Sequence, residues 1–121
     1  MVTLTYPRIV AVGDRAMTVE LGGSMDAETV ARVRALDLRL RERALEGVQE
    51  TVPTYASLLV VYERSRISFT ELEARLGELC RDLSGDTATG QRIEVPTVYN
   101  GEDLDEVAGA CGLSRDDVIA L

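Results

Sequence analysis

Few side chains in this 121-residue chain are suited to chemistry. Gly13-Asp14-Arg15 sets a carboxylate beside a guanidinium in a glycine-led turn, and Tyr55 and Ser57 flank a second turn. Asp14, Arg15, Tyr55 and Ser57 are therefore the candidates for a groove or interface. Nothing completes them into a catalytic set. The first cluster lacks the glycine spacing, Lys and Ser/Thr of a phosphate loop, and a hairpin turn with an Asx-type hydrogen bond explains it. A Tyr with a Ser but no base or oxyanion donor is equally well explained by turn capping and packing. Asp103, Asp105 and Glu106, and again Asp116 and Asp117, read as helix caps and solvated faces, so their spacing indicates no metal site. Cys80 and Cys111 form no C-x-x-C and have no His to complete a zinc set. Both fall on apolar faces of expected helices and read as buried free thiols.

Composition narrows the function classes. The chain has no His, which removes the commonest general base, metal ligand and near-neutral pH switch. Its 13 basic residues, all Arg, face 21 acidic ones for a net charge of −8, a poor fit to a nucleic-acid backbone. The imbalance is uneven: residues 1–85 carry 11 basic and 13 acidic side chains, whereas residues 86–121 carry 2 and 8. The tail therefore reads as a different unit from the body. Aromatics are only 4%, so the core must be built from Val, Leu, Ile and Ala. No apolar stretch approaches the ~20 residues of a membrane span, and the start lacks a signal peptide's basic and apolar blocks. A cytoplasmic protein without membrane or nucleic-acid partners is expected.

Positioning these residues requires regular elements. Ile9–Val12 and the alternating Met17–Leu21 predict a hairpin turning around Gly13–Ala16. Asp26 reads as the N-cap of a helix carrying Val30, Val33, Leu36, Leu40 and Ala44 on one stripe, with Gly47 as its left-handed stop. Arg32, Arg34, Arg39, Arg41 and Arg43 lie mostly off that stripe among Asp37, Glu42 and Glu46, which reads as a solvated face. Val48–Thr54 predicts a strand that Pro53 confines to an edge or bend. After a turn at Tyr55-Ala56, the almost wholly apolar Ser57–Tyr62 predicts a central strand. Ser68-Phe69-Thr70-Glu71 is a capping box, flanked by Ile67 and Leu72 as a hydrophobic staple, and opens a second helix with Leu72, Leu76, Leu79 and Leu83 on one face. The expected fold is a two-layer α+β domain, β-β-α-β-β-α, with a four-stranded antiparallel sheet and both helices on one face.

Expected boundaries are an α+β domain at 1–85, a linker at 86–91 and a second unit at 92–121. That unit reads as a short strand at Ile93-Glu94-Val95, a helix capped by Asp103 and Glu106 and ended by Gly112, and a helix opened by Ser114. The last helix begins with a proper cap only seven residues before Leu121, so the chain reads as the N-terminal part of a longer protein.

Three groups of residues together resemble one family. They are Gly13-Asp14-Arg15-Ala16 leading to Val19-Glu20-Leu21-Gly22, then Val52 through Tyr62, and then Ile93 through Tyr99 with Gly101-Glu102-Asp103-Leu104, Val107-Ala108, Gly112-Leu113-Ser114 and Val118-Ile119. They are similar to the start of the KipI-like family, also called allophanate hydrolase subunit 1 and associated with one of the subunits of prokaryotic 5-oxoprolinase. The resemblance implies that a cyclophilin-like barrel begins at 92–121, with the active-site half beyond this chain, so no catalytic residue is transferred. It further implies ATP-dependent opening of the cyclic amide of 5-oxoproline, with ATP as the cofactor and a second barrel-type subunit and a third, separate subunit as partners. The same family includes an inhibitor of a sporulation histidine kinase and components of urea and allophanate metabolism. A regulatory binding protein and a urea-pathway subunit are therefore the alternative expectations.

Overall fold

The computed structural model describes residues 4–83 and 92–121. The chain divides into two compact units, Met1–Ala88 and Thr89–Leu121, each with its own packing. The expected linker at 86–91 lies outside the described residues.

The first unit follows the order β1 (Arg8–Val12), β2 (Ala16–Glu20), α1 (Ala27–Arg43), β3 (Val48–Pro53), β4 (Ser57–Tyr62) and α2 (Phe69–Leu79). It is the expected two-layer α+β fold. All strand pairs are antiparallel, in the order β1-β2-β4-β3, so β2 and β4 are central and β1 and β3 form the edges. Period-two alternation turns Met17 and Val19 of β2, and Leu58, Val60 and Tyr62 of β4, to one face. There they join Val33, Leu36 and Leu40 of α1 and Leu72 and Leu76 of α2 in a single buried cluster. Burial of this kind, ~1.5–3 kcal/mol per fully covered aliphatic side chain, is what holds helices of this length in place. The opposite face carries Thr18, Leu59 and Val61, half-buried, with Val10, Val12 and Val52 exposed toward its margins.

Caps set the helix ends, and here two expectations change. The Asp26 carboxylate accepts the Thr29 amide at 2.7 Å, as expected of an N-cap. The helix stops earlier than Gly47, however: Arg43 is its last residue, and Ala44 adopts the left-handed conformation (φ 44°), donating its amide to the Leu40 and Arg41 carbonyls. Gly47 serves another purpose. Its φ is +90°, and a Cβ there would lie 2.6 Å from Ile67 Cγ2, so this backbone must be bare for the α1–β3 connection to pass the second helix's staple residue. Ser68 caps α2 by accepting the Glu71 amide at 3.2 Å, with Ile67 and Leu72 buried on either side.

The second unit contains α3 (Leu104–Cys111) and α4 (Arg115–Ala120). Ser114 and Asp117 form a complete capping box, whereas Asp103 has helical dihedrals and makes no side-chain cap bond, contrary to expectation. Gly112 ends α3 in the left-handed conformation (φ 66°), as expected. The strand expected at Ile93-Glu94-Val95 is not formed, because a strand requires a neighbouring ladder and these residues have none among the described residues. Ile93 and Val95 are each 74% exposed. No helix among the described residues is long and apolar enough to cross a membrane.

Candidate functional site

Strand register decides where the four candidate residues fall. Ala16 pairs with Val61 and Glu20 with Ser57. The turn carrying Asp14 and Arg15 therefore sits at one end of the sheet, and the turn carrying Tyr55 and Ser57 at the other, separated by a strand length of roughly 15 Å. No single groove holds all four.

At the first end Gly13 adopts φ +62°, the left-handed turn conformation that lets β1 reverse into β2. Asp14 borders a cavity of about 290 Å³ together with Gly13, Tyr62, Arg64, Ser68 and Phe69. Arg15 reaches the other way and donates to the Gln49 side chain at 3.2 Å, while its carbonyl accepts the Tyr62 amide at 2.9 Å. At the second end the Thr54 and Ser57 hydroxyls lie 2.9 Å apart, and the Thr54 hydroxyl also accepts the Ser57 amide at 3.2 Å. Ser57 is thus engaged in closing its own turn. Tyr55 projects from the tip and is 68% exposed.

A larger cavity, about 460 Å³, lies where α1 ends beside β3. Leu40, Leu45 and Val48 supply its apolar wall, and Arg41, Glu50 and Thr51 its polar one. Sequence reasoning misses it because it depends on α1 ending at Arg43. The Asp37 carboxylate holds Arg41 at 3.0 Å and receives a hydrogen bond from the Thr51 hydroxyl, which joins α1 to β3 at this point.

Electrostatic perturbation follows caps and pairs rather than either cavity. Asp26 is lowered to about 2 by the Ser24 hydroxyl and then by the Thr29 amide. Asp117 is lowered by the Ser114 hydroxyl and amide. Glu20 is lowered and Arg8 raised by their mutual bond, which spans β1 and β2 at 2.7 and 3.0 Å. Burial pushes the Cys80 thiol up to about 11. Such shifts often mark active sites. Here each carboxylate shift has a structural cause already in view. Cys80 is buried as expected, but Cys111 is exposed, since the short α3 buries only Ala108. Among the described residues no cluster of three His, Cys, Asp or Glu is placed to hold a metal ion.

The Arg-rich face of α1 also departs from a purely solvated reading. Arg32 donates to the Leu21 carbonyl at 2.9 Å. Arg39 donates to the carbonyls of Leu79, Arg81 and Asp82 at 3.1, 3.0 and 2.9 Å, closing the C-terminal end of α2.

Comparison with known proteins adds what geometry alone does not. Residues 7–121 match the family model described as carboxyltransferase domain, subdomain C and D. The crystal structure of the conserved uncharacterized protein PH0987 from Pyrococcus horikoshii is 35% identical, with a TM-score of 0.60, over 93% of this chain and 53% of that one. TTHA0988 is 31% identical, with a TM-score of 0.69, over 89% of this chain and 20% of that one. The chain thus spans about half of the first relative and a fifth of the second. The N-terminal domain of KipI, a histidine kinase inhibitor of Bacillus subtilis, shares the fold at 22% identity and a TM-score of 0.55, over 69% of this chain and 93% of that one. No curated protein matches the sequence.

Proposed function

Because the chain belongs to the carboxyltransferase-domain family of subdomains C and D, we propose that it is the scaffold and interface part of one subunit of a 5-oxoprolinase-type, ATP-dependent cyclic amide hydrolase in the cytoplasm. The observation that carries this reading is the extent of the family match, which takes in both hairpins of the first unit and all of the second. A lactam resists water because its nitrogen lone pair is delocalised into the carbonyl. Phosphoryl transfer from ATP to the lactam oxygen makes the ring carbon electrophilic. Water then adds and the ring C–N bond breaks, the nitrogen taking a proton to leave as the amine and the carbon remaining as an acyl phosphate. A second water cleaves this to the carboxylate and inorganic phosphate. This chain's contribution is to carry and orient. Its perturbed carboxylates cap helices or pair strands, and Asp14, Arg15 and Tyr55 stand on turn tips where a partner subunit of barrel fold can meet them.

Co-expression with a second barrel-type subunit and the third, separate subunit tests the reading. The expected result is 5-oxoproline-dependent release of phosphate from ATP by the co-purified assembly. An assembly that forms and hydrolyses no ATP with 5-oxoproline refutes it, and neighbouring urea carboxylase genes would point to the urea and allophanate pathway instead. A second reading, a binding protein that inhibits a histidine kinase, is supported by the fold shared with the KipI domain. It predicts saturable binding to a kinase dimerisation or catalytic domain, and a flat titration removes it.

A further inference from the structure

The two edges of the sheet are built differently. β3 carries three features that discourage strand addition: Pro53, which has no N–H to offer, a register shift between Val48 and Glu50 that bulges the strand, and the exposed charge of Glu50. β1 has neither proline nor register shift inside its five residues; its one charge, Arg8 at the start, is paired with Glu20, and the rest is the uncharged Ile9-Val10-Ala11-Val12. Residues 8–12 make no backbone hydrogen bond beyond the sheet among the described residues. Val10 and Val12 are exposed.

The phase of the ladder tells which groups face outward. Leu21 donates to the Ala56 carbonyl and Tyr62 to the Arg15 carbonyl, each at 2.9 Å. Hydrogen-bonded pairs alternate in an antiparallel ladder, so in β2 the odd-numbered residues bond to β4 and the even-numbered ones to β1. Arg8, Val10 and Val12 therefore spend their backbone groups on β2, and those of Ile9 and Ala11 point away from the sheet.

We propose that β1 is a homodimerisation edge, pairing antiparallel with β1 of a second copy about a two-fold axis through Val10 to make one eight-stranded sheet. The strand complements itself in this register. Ile9 and the partner's Ala11 exchange both backbone bonds, as do Ala11 and the partner's Ile9, and each of these pairs sets a large side chain against a small one. Val10 meets the partner's Val10 across the close, non-hydrogen-bonded position. Arg8 faces the partner's Val12, so no like charges oppose each other, and its guanidinium is already neutralised by Glu20. A second copy fits better than an unrelated strand because every one of these matches is made by β1 with itself.

Sedimentation equilibrium of the full chain tests this. A reversible monomer–dimer equilibrium is expected. Ala11→Pro deletes an outward N–H and leaves the β1–β2 ladder untouched, so the dimer should weaken by about tenfold or more while the far-UV spectrum stays unchanged. Val10→Lys and Val10→Glu should each abolish the dimer by placing like charges on the axis, and an equimolar mixture of the two should restore it. A chain that remains monomeric up to about 1 mM overturns the proposal. So does a dimer that neither Ala11→Pro nor Val10→Lys weakens, or a charge-swapped mixture that fails to associate.

Discussion

Replacing Arg39 with Ala should destabilise the first unit more than any other single change on the exposed side of α1. The guanidinium makes three bonds, at 2.9 to 3.1 Å, to the carbonyls of Leu79, Arg81 and Asp82. The last carbonyls of a helix have no partner within the helix, so these bonds replace water that would otherwise have to reach them. A bond of this type is worth about 0.5–1.5 kcal/mol net, and more where a charged donor is shielded. With two of the three bonds exposed, the low end of that range applies to most of the sum, and we expect a loss of about 2 kcal/mol. In a domain of this size that lowers the melting midpoint by roughly 8–16 °C. Urea and thermal denaturation followed by far-UV circular dichroism measure it, with Arg41→Ala as the reference. Arg41 makes an i,i+4 pair with Asp37 and is itself 63% exposed, so its loss should cost under about 0.5 kcal/mol. Arg39→Lys should recover less than half of the loss, because an ammonium is a point donor that cannot fork across three carbonyls. If Arg39→Ala and Arg41→Ala melt within about 2 °C of each other, roughly 0.5 kcal/mol or less, the clamp contributes nothing and the reasoning fails.

Leu36→Ala should cost about 2–5 kcal/mol, since the side chain is fully buried at the centre of the shared cluster, and a urea midpoint checks it. Gly47→Ala should cost about 2 kcal/mol by forcing a Cβ both into positive φ and against Ile67. A calorimetric transition as high as that of the unsubstituted chain would contradict it. Asp26 holds its proton more weakly in the fold than its ordinary 3.8, down to about 2. Its stabilising effect is therefore complete above about pH 4 and lost as pH falls toward 2. Asp26→Asn, which keeps a capping oxygen but cannot titrate, should flatten that part of an acid denaturation curve. With a disulfide-exchange reagent at neutral pH, one thiol per chain should react fast. Cys111→Ser should abolish that fast phase, because Cys80 is buried with its pKa pushed up to about 11.

Elements whose signal is local are legible in the sequence. Ser57–Tyr62 is apolar enough to be a central strand whatever surrounds it, and Ser68 with Glu71 marks a helix start within four residues. Pro53 correctly places β3 at an edge. What escapes depends on distant partners. Arg39 looks like any solvated arginine until α2 ends beside it, about 40 residues further along the chain. Glycine is the commonest left-handed residue, which points to Gly47 as the helix stop, yet Ala44 takes that conformation and Gly47 is needed for clearance. Ile93-Glu94-Val95 has a strand's pattern, but a pattern cannot provide the neighbour that a ladder requires. The candidate residues stand out in the sequence as pairs flanking turns. Only the register of β2 against β4 reveals that the two turns point to opposite ends.

The strand order β1-β2-β4-β3 divides the first unit into two hairpin-plus-helix halves, whose strands join along the β2–β4 seam. Within each hairpin the paired residues are near neighbours in sequence, whereas those across the seam are about 40 residues apart. Closing that seam carries most of the loop entropy of folding, so it should form last and limit the rate. The α1–β3 connection lies between the halves and crosses no strand pair. A chain opened at Glu46 should therefore yield two fragments, each with one bare strand and one uncovered apolar helix face, that recover the fold only by finding each other.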